Sequence, residues 1–270
     1  MINFIVLYSK KDIAGINIAE EMKKHYIPQI PLIELQKDSI FSEDIDKDER
    51  LKNFDFIVFA TKHKSEKGGK TLSIHAPGNW RNADFGGKAG KICPTNALVI
   101  KYLFQRLKDN AEKEKSDYPV TLECTHHGPL IETPCCFIEL GSGEEQWNDK
   151  KAAAIIAKTI GDLQNFESWK DKNKKQMKIA VGIGGPHYCP NFNKIQLSET
   201  SNIAISHIIP GYSLPPNESM LKEAIEKTKE HVNFFILDWK GCGKSEERQK
   251  VVELLNKFGI EYIRTEKVEK

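Results

Sequence analysis

Short apolar runs alternate along the chain with amphipathic stretches. Ile2 to Tyr8 reads as a β-strand, and Asp12 to about His25 repeats its apolar positions at helical spacing behind an aspartate suited to cap a helix. Pro31 to Leu35 is a second strand candidate, and Phe54 to Thr61 has the continuous apolar character of a strand buried on both faces. Residues 68–90 are rich in Gly, Asn and small polar residues, which predicts a long loop with at most a short strand inside a loop-rich insertion of about 62–92. Helical spacing returns from Thr95 to about Glu114. Strands are predicted at Val120 to Thr125 and Cys135 to Leu140, then a helix from about Glu144 to Leu163 and a charged, solvated linker at Lys170 to Lys178. Ile179 to Ile183, Ile203 to Ile208, Phe234 to Trp239 and Glu261 to Thr265 read as further strands, with helices near Glu218 to His231 and Ser245 to Phe258. This β–α alternation predicts an α/β fold, a mostly parallel or mixed sheet flanked by helices, in a single domain spanning 1–270.

Composition narrows the function classes. The chain is 39% hydrophobic and 29% charged, with no run of 18 apolar residues, so no membrane span is expected. The opening apolar run lacks a basic leader and reads as a core strand, which places the protein in the cytoplasm. A net charge of +2 does not announce a nucleic-acid binder. The six cysteines show no CxxC spacing and read as reduced thiols, which argues against a disulfide framework or a zinc knuckle.

Of the 8 histidines, His63, His126, His127, His187 and His207 fall at or just beyond predicted strand ends. In open α/β sheets ligands bind in the crevice outside those ends, so these side chains can converge there; a lone histidine would more often be a satisfied polar residue. The strongest local pattern is Glu123-Cys124-Thr125-His126-His127-Gly128-Pro129, a strand running into two imidazoles. Strand alternation would put Glu123 and Thr125 on one face and Cys124 and His126 on the other. Either imidazole can coordinate zinc while Glu123 acts as general base or orients a ring; the bland alternative makes Glu123 an acceptor that fixes the loop.

Gly182-Ile183-Gly184-Gly185-Pro186-His187 can present amide groups to an anion or oxyanion, although His187 could merely cap a turn. Lys240-Gly241-Cys242-Gly243-Lys244-Ser245 fails the phosphate-loop pattern because position 238 is Asp; Lys240 or Lys244 could still meet an anion such as a phosphate, against an ordinary helix start with Ser245 as its cap. Cys135, Cys136 and Cys189 read as structural rather than nucleophilic. Of the four tryptophans only Trp80 is a candidate for stacking on RNA.

His63-Lys64-Ser65, Leu72-Ser73-Ile74-His75-Ala76-Pro77-Gly78-Asn79-Trp80, Cys93-Pro94, the Glu123 to Pro129 segment, the Gly182 to Tyr188 segment and Ser206-His207 together resemble the archaeal/plant D-aminoacyl-tRNA deacylase family over nearly the whole chain. The resemblance implies hydrolysis of the ester between a D-amino acid and tRNA, Zn2+ as cofactor, the 3′ end of D-aminoacyl-tRNA as partner, a monomer, and a fold akin to peptidyl-tRNA hydrolase and nucleoside phosphorylases. On this reading Glu123, His126 and His127 are catalytic, and His126, His127, His187 and His207 are candidate metal ligands. His63, Ser65, His75, Asn79, Gly184, Gly185 and Lys240 would bind substrate. A zinc-dependent aminopeptidase or amidohydrolase would share the histidine and glutamate site without needing tRNA. A non-catalytic RNA-binding module would need a basic, aromatic face that the near-neutral charge does not supply.

Overall fold

A computed structural model of the protein describes residues 1–25, 29–66, 68–198 and 200–268. Strand β1 (Phe4–Ser9) is buried throughout and leads into helix α1 (Ile13–His25). Asp12 caps that helix, its carboxylate accepting from the Gly15 N–H at 3.1 Å, and it also accepts from the Lys62 N–H at 2.7 Å. β2 (Leu32–Leu35) and β3 (Phe56–Lys64) pair parallel with β1 on either side. Within the stretch read as loop-rich, β4 (Thr71–His75) enters the central sheet, burying Leu72 and Ile74, before the short ladder of β5 (Gly78–Asn79) and β6 (Lys91–Ile92).

Helix α2 (Ala97–Lys113) begins where the Asn96 side chain accepts from the Val99 N–H at 2.9 Å. β7 (Val120–Leu122) and β8 (Cys135–Ser142) complete a six-stranded sheet in the order β2-β1-β3-β8-β4-β7. The sheet is mixed, because β4 runs antiparallel to β8 and β7 runs parallel to β4. One long helix was expected after β8; two form, α3 (Glu144–Trp147) and α4 (Lys150–Gly161). Asp149 restarts the helix, its carboxylate accepting from the Lys151 and Ala152 N–H groups. The expected charged linker is partly helical as α5 (Phe166–Asn173), anchored by the fully buried Phe166.

A second sheet follows from β9 (Lys178–Ile183), α6 (Pro190–Leu197), β10 (Ile203–Ile209), α7 (Glu218–Glu226), β11 (Phe234–Leu237), α8 (Ser245–Lys257) and β12 (Tyr262–Arg264). Its order is β10-β9-β11-β12 and every pair is parallel. Apolar periodicity did not reveal α6, whose signal is Pro190 at the first helical turn. Lys244 rather than Ser245 takes the cap position of α8, with the Glu247 carboxylate accepting from the Lys244 N–H at 2.6 Å.

Helix α2 packs against α4, β4 and β7 on one side and β10 on the other, so apolar residues of both sheets share one core. The segment after β7 also joins the sheets. The Glu123 N–H donates to Ile74 O at 3.0 Å, the Cys124 N–H to His187 O at 2.9 Å, and the Thr125 N–H to Ile208 O at 3.1 Å. Three consecutive amides thus leave the first sheet, meet the loop after β9 and reach β10. The strand expected to reach Thr125 therefore stops at Leu122.

Candidate active site

Register places the chemistry on one face of the six-stranded sheet. Glu139 in β8 lies opposite Thr61 in β3 and opposite Ser73 in β4, and Ser73 in turn pairs with Thr121 in β7. Two residues on, and so on the same face, are His63 in β3, His75 in β4 and Glu123 just past β7. The site is therefore built on a sheet face, not only in a crevice beyond strand ends, and two of its strands run opposite to the others.

Glu139 is the hub, and sequence reading missed it. It is 3% exposed; its Oε1 accepts from the Thr61 hydroxyl at 2.9 Å and lies 3.7 Å from His75 Nε2 and 3.8 Å from His127 Nε2, while its Oε2 lies 3.2 Å from His63 Nδ1. The available signal was a carboxylate inside an uninterrupted apolar strand, where an ionised group persists only if partnered. Glu123 is the second anchor, its Oε2 2.8 Å from His187 Nε2 and 3.4 Å from His126 Nε2. His63 Nδ1 stands 3.2 Å from Glu123 Oε1 as well, yet its one proton serves Glu139, and Glu123 Oε1 is left buried without a hydrogen bond.

The rings crowd together. Centroids are 4.2 Å apart for His75 and His126, 4.3 Å for His126 and His127, 4.8 Å for His75 and His127, and 4.6 Å for His126 and His187. Backbone carbonyls set the tautomers: His126 Nδ1 meets Cys124 O at 2.8 Å, His127 Nδ1 meets Gly128 O at 2.6 Å, and His75 Nδ1 meets Ala76 O at 3.2 Å. A carbonyl only accepts, so each Nδ1 carries the proton and each Nε2 presents a lone pair to the cluster. His127 sits at a φ of 44°, an uncommon backbone conformation for a non-glycine residue that turns its ring inward. Alternation would have separated Glu123 from His126; the end of the strand at Leu122 lets the chain fold them onto each other.

Charge follows from these contacts. Burial, reinforced by neighbouring imidazoles, holds His126 well below its ordinary value, and burial also lowers His127, so both are neutral. Burial opposes ionisation of Glu139 and Glu123 too, yet neighbouring imidazoles, with His63 hydrogen-bonded to Glu139 and His187 to Glu123, outweigh it and hold Glu139 well below, and Glu123 below, the usual carboxylate value. At the rim, burial is outweighed by the Cys124 and Glu123 contacts and His187 is pushed up to about 10.

The other expected site residues fall in different places. Ser65 follows β3 on the His63 side, its N–H donating to Ser142 O at 3.4 Å. Asn79 braces the 80s loop, its Nδ2 donating to Gly86 O at 2.8 Å. His207 stands outside the cluster: its Nδ1 meets the Thr125 hydroxyl at 3.2 Å and its Nε2 meets Lys227 O at 3.3 Å, so protein atoms occupy both nitrogens, and burial lowers it to about 4. Gly184 and Gly185, at φ of 96° and 85°, let the loop after β9 press on the 238–242 turn, where a Cβ on Gly184 would come within 2.7 Å of Cys242 Sγ. Lys240 lies on that turn, lining a different pocket with Asp238, Lys194 and Glu266. Trp80 is only 5% exposed and donates from its indole N–H to Ile208 O at 3.0 Å, so it is held in the wall of the site with little ring surface exposed. Cys135, Cys136 and Cys189 are buried, and burial raises all three thiols, which fits their structural reading.

Beside His126 and His127 opens a cleft of about 400 Å³, walled by Trp80, Phe85, Tyr212 and Ser213. Among the described residues, no helix is long and apolar enough to cross a membrane.

Comparison with known proteins agrees with the resemblance read from the motifs. Residues 50–263 match the pattern of the D-aminoacyl-tRNA deacylase family. A D-aminoacyl-tRNA deacylase of Methanocaldococcus jannaschii is 32% identical over 97% of this chain and 99% of its own length. One from Pyrococcus furiosus is 34% identical over 96% of this chain and 86% of its own. A crystal structure described as a conserved protein of unknown function superposes with a TM-score of 0.85 at 27% identity, covering 98% of this chain and 96% of that one. Both the family match and these relatives span the strands that carry the histidines and glutamates, and the chain belongs to the D-aminoacyl-tRNA deacylase family.

Proposed function

We propose that this protein hydrolyses the ester joining a D-amino acid to the 3′ end of tRNA, releasing both, and that Zn2+ bound on the histidine-bearing face is its cofactor. Family membership supports the reaction. One observation carries the metal: the lone pairs of His75, His126 and His127 converge, and each Nε2 faces a carboxylate oxygen at 3.4–3.8 Å. Acceptor against acceptor is repulsive unless a cation lies between them. Two ligands of one tetrahedral zinc stand about 3.3 Å apart at bond lengths of about 2 Å, close to these separations. The unpartnered His75 Nε2 and Glu123 Oε1, both buried, fit the same account.

His75, His126, His127 and Glu139 would hold the ion, with the Cys124, Gly128 and Ala76 carbonyls orienting the three rings from behind. When bound, zinc lowers the pKa of water and polarises an ester carbonyl. The Glu123–His187 hydrogen bond then supplies a buried carboxylate and, at the rim, an imidazole, the first to accept a proton from the attacking water and the second to deliver one to the departing ribose oxygen. Selectivity for D-aminoacyl esters is assigned to exclusion of the L-configured substituent at the α-carbon, which leaves the side chain broadly tolerated. A single chain supplies every residue of the cluster, so we take the monomer as the active unit, working in the cytoplasm where charged tRNA is found.

The test is single-turnover release of D-tyrosine and L-tyrosine from charged tRNA, with metal content measured before and after chelation. Preferential D-release, lost on chelation and restored by Zn2+, is the expected result. Equal D and L rates would overturn the substrate; full activity in metal-stripped protein would overturn the cofactor. Cleavage of peptide amides in place of the tRNA ester would move the protein to the aminopeptidase reading.

A further inference from the structure

Two aromatic rings at the mouth of the cleft are far more exposed than their settings require. Phe85 is 64% exposed and Tyr212 65%, and both line the cleft whose floor holds His126 and His127. Their backbones are not slack. Phe85 O accepts from the Gly128 N–H at 2.8 Å, and the adjoining Gly86 and Gly87 are held by Asn79 at 2.8 Å and Glu43 at 2.6 Å. On the other wall the Gly211 N–H donates to Gly185 O at 2.8 Å, and the Tyr212 hydroxyl lies 3.1 Å from Cys124 Sγ. Arg81 ties the walls together, donating to Ser213 O at 3.1 Å and Pro215 O at 2.9 Å. The backbones that carry both rings, and the Tyr212 hydroxyl, are thus held before anything binds, which lowers the ordering cost to be met on association.

We propose that Phe85 and Tyr212 are the stacking surfaces for the terminal adenine of tRNA, an inference that rests on the deacylase reading above. With the ester carbonyl at the imidazole floor, the ribose leads outward and its base is the first large group to reach the mouth. Adenine is also the constant part of every aminoacyl-tRNA. Aromatics on a held backbone suit a constant, flat, uncharged partner and place no demand on the amino-acid side chain. Stacking on an aromatic residue is worth roughly a tenfold to hundredfold in affinity per base.

The experiment measures KM and kcat for D-tyrosyl-tRNA and D-alanyl-tRNA in Phe85→Ala, Phe85→Trp, Tyr212→Ala and Tyr212→Phe, alongside binding of uncharged tRNA with and without its 3′-terminal adenosine. Each alanine variant should raise KM about tenfold for both substrates with kcat nearly unchanged, and the aromatic replacements should restore it. Wild type should bind intact tRNA more tightly than the trimmed form, and the alanine variants should lose that preference. Unchanged KM in alanine variants that melt like wild type would overturn the proposal. So would a rise confined to the D-tyrosyl substrate, which would assign the cleft to the amino-acid side chain. If wild type fails to deacylate either substrate, the functional reading fails, and the intact-versus-trimmed comparison still decides whether these rings bind adenine.

Discussion

Val58 and Ala60 in β3, Leu72 and Ile74 in β4, Leu122 in β7 and Ile138 and Leu140 in β8 point to one side of the six-stranded sheet, into the core shared with α2 and α4. One residue along in the same strands, Thr61, His63, Ser73, His75 and Glu139 point to the other, where Glu123 joins them past the end of β7. Both faces are buried. They differ in how charge is accommodated. On the second face Glu139 accepts from Thr61 and His63 and Glu123 accepts from His187, so the burial of each carboxylate is offset by hydrogen bonds. On the α2 side, Lys101 is 1% exposed and donates to a single carbonyl, Gln196 O at 2.9 Å, and burial pushes it down to about 8. One face uses low dielectric to bring charges into contact; the other tolerates one charge at a cost.

The strongest break of this contrast is Glu139→Gln. It preserves volume but removes the anion that His63, His75 and His127 share, and deacylation should fall about a thousandfold, near 4 kcal/mol in the barrier, together with zinc affinity if the proposed metal site is right. Zinc titration beside single-turnover kinetics checks it; near-normal values for both would make Glu139 a structural residue. Ile138→Ala, one position away on the other face, should do the reverse. It should cost about 3 kcal/mol in chemical denaturation and leave the folded protein's turnover within about twofold.

Lys101→Met should stabilise the protein by up to about 3 kcal/mol at pH 7, since each tenfold in proton affinity is worth about 1.4 kcal/mol. The sign is set by the unfolded chain holding this proton up to 10.5 while the folded chain releases it near 8. Wild-type stability therefore carries the full penalty below pH 8 and recovers it between pH 8 and 10.5. Urea midpoints of wild type and variant should converge across that range; a constant gap would show that the charge is not the cause. Ser73→Ala is the smallest expected effect. Its hydroxyl is buried without a hydrogen-bond partner next to Glu139, so removal should change stability by less than about 1 kcal/mol and rate by less than about threefold. A larger loss of rate would make Ser73 part of the chemistry.

The strands and most helices were legible because local pattern carries them: apolar runs at β3 and, on either side of Glu139, at β8, an aspartate before α1, helical spacing through α2. The His126-His127 pair and His187 stood out in the sequence as candidates because imidazoles cluster at strand ends there, and the structure brings them together, whereas Gly184 and Gly185 serve the packing of the 238–242 turn. Phe85 and Tyr212 were not, since an isolated aromatic in a loop carries no signal of its exposure. His207 reads in sequence like the other histidines, and only its contacts with Thr125 and Lys227 set it apart.

By itself the sequence determined an alternating α/β architecture, the residue types able to bind a cation, and a motif order that identifies the family, because periodicity and spacing are properties of neighbours along the chain. The tertiary structure alone decided that Glu139 is the hub, that β4 runs against β8 and brings Ser73 opposite it, and that His75 joins His126 and His127 while His207 does not. Those outcomes depend on strand order and register. Pairing across a sheet joins residues more than 60 positions apart, and a shift of one residue would turn each of these side chains to the opposite face.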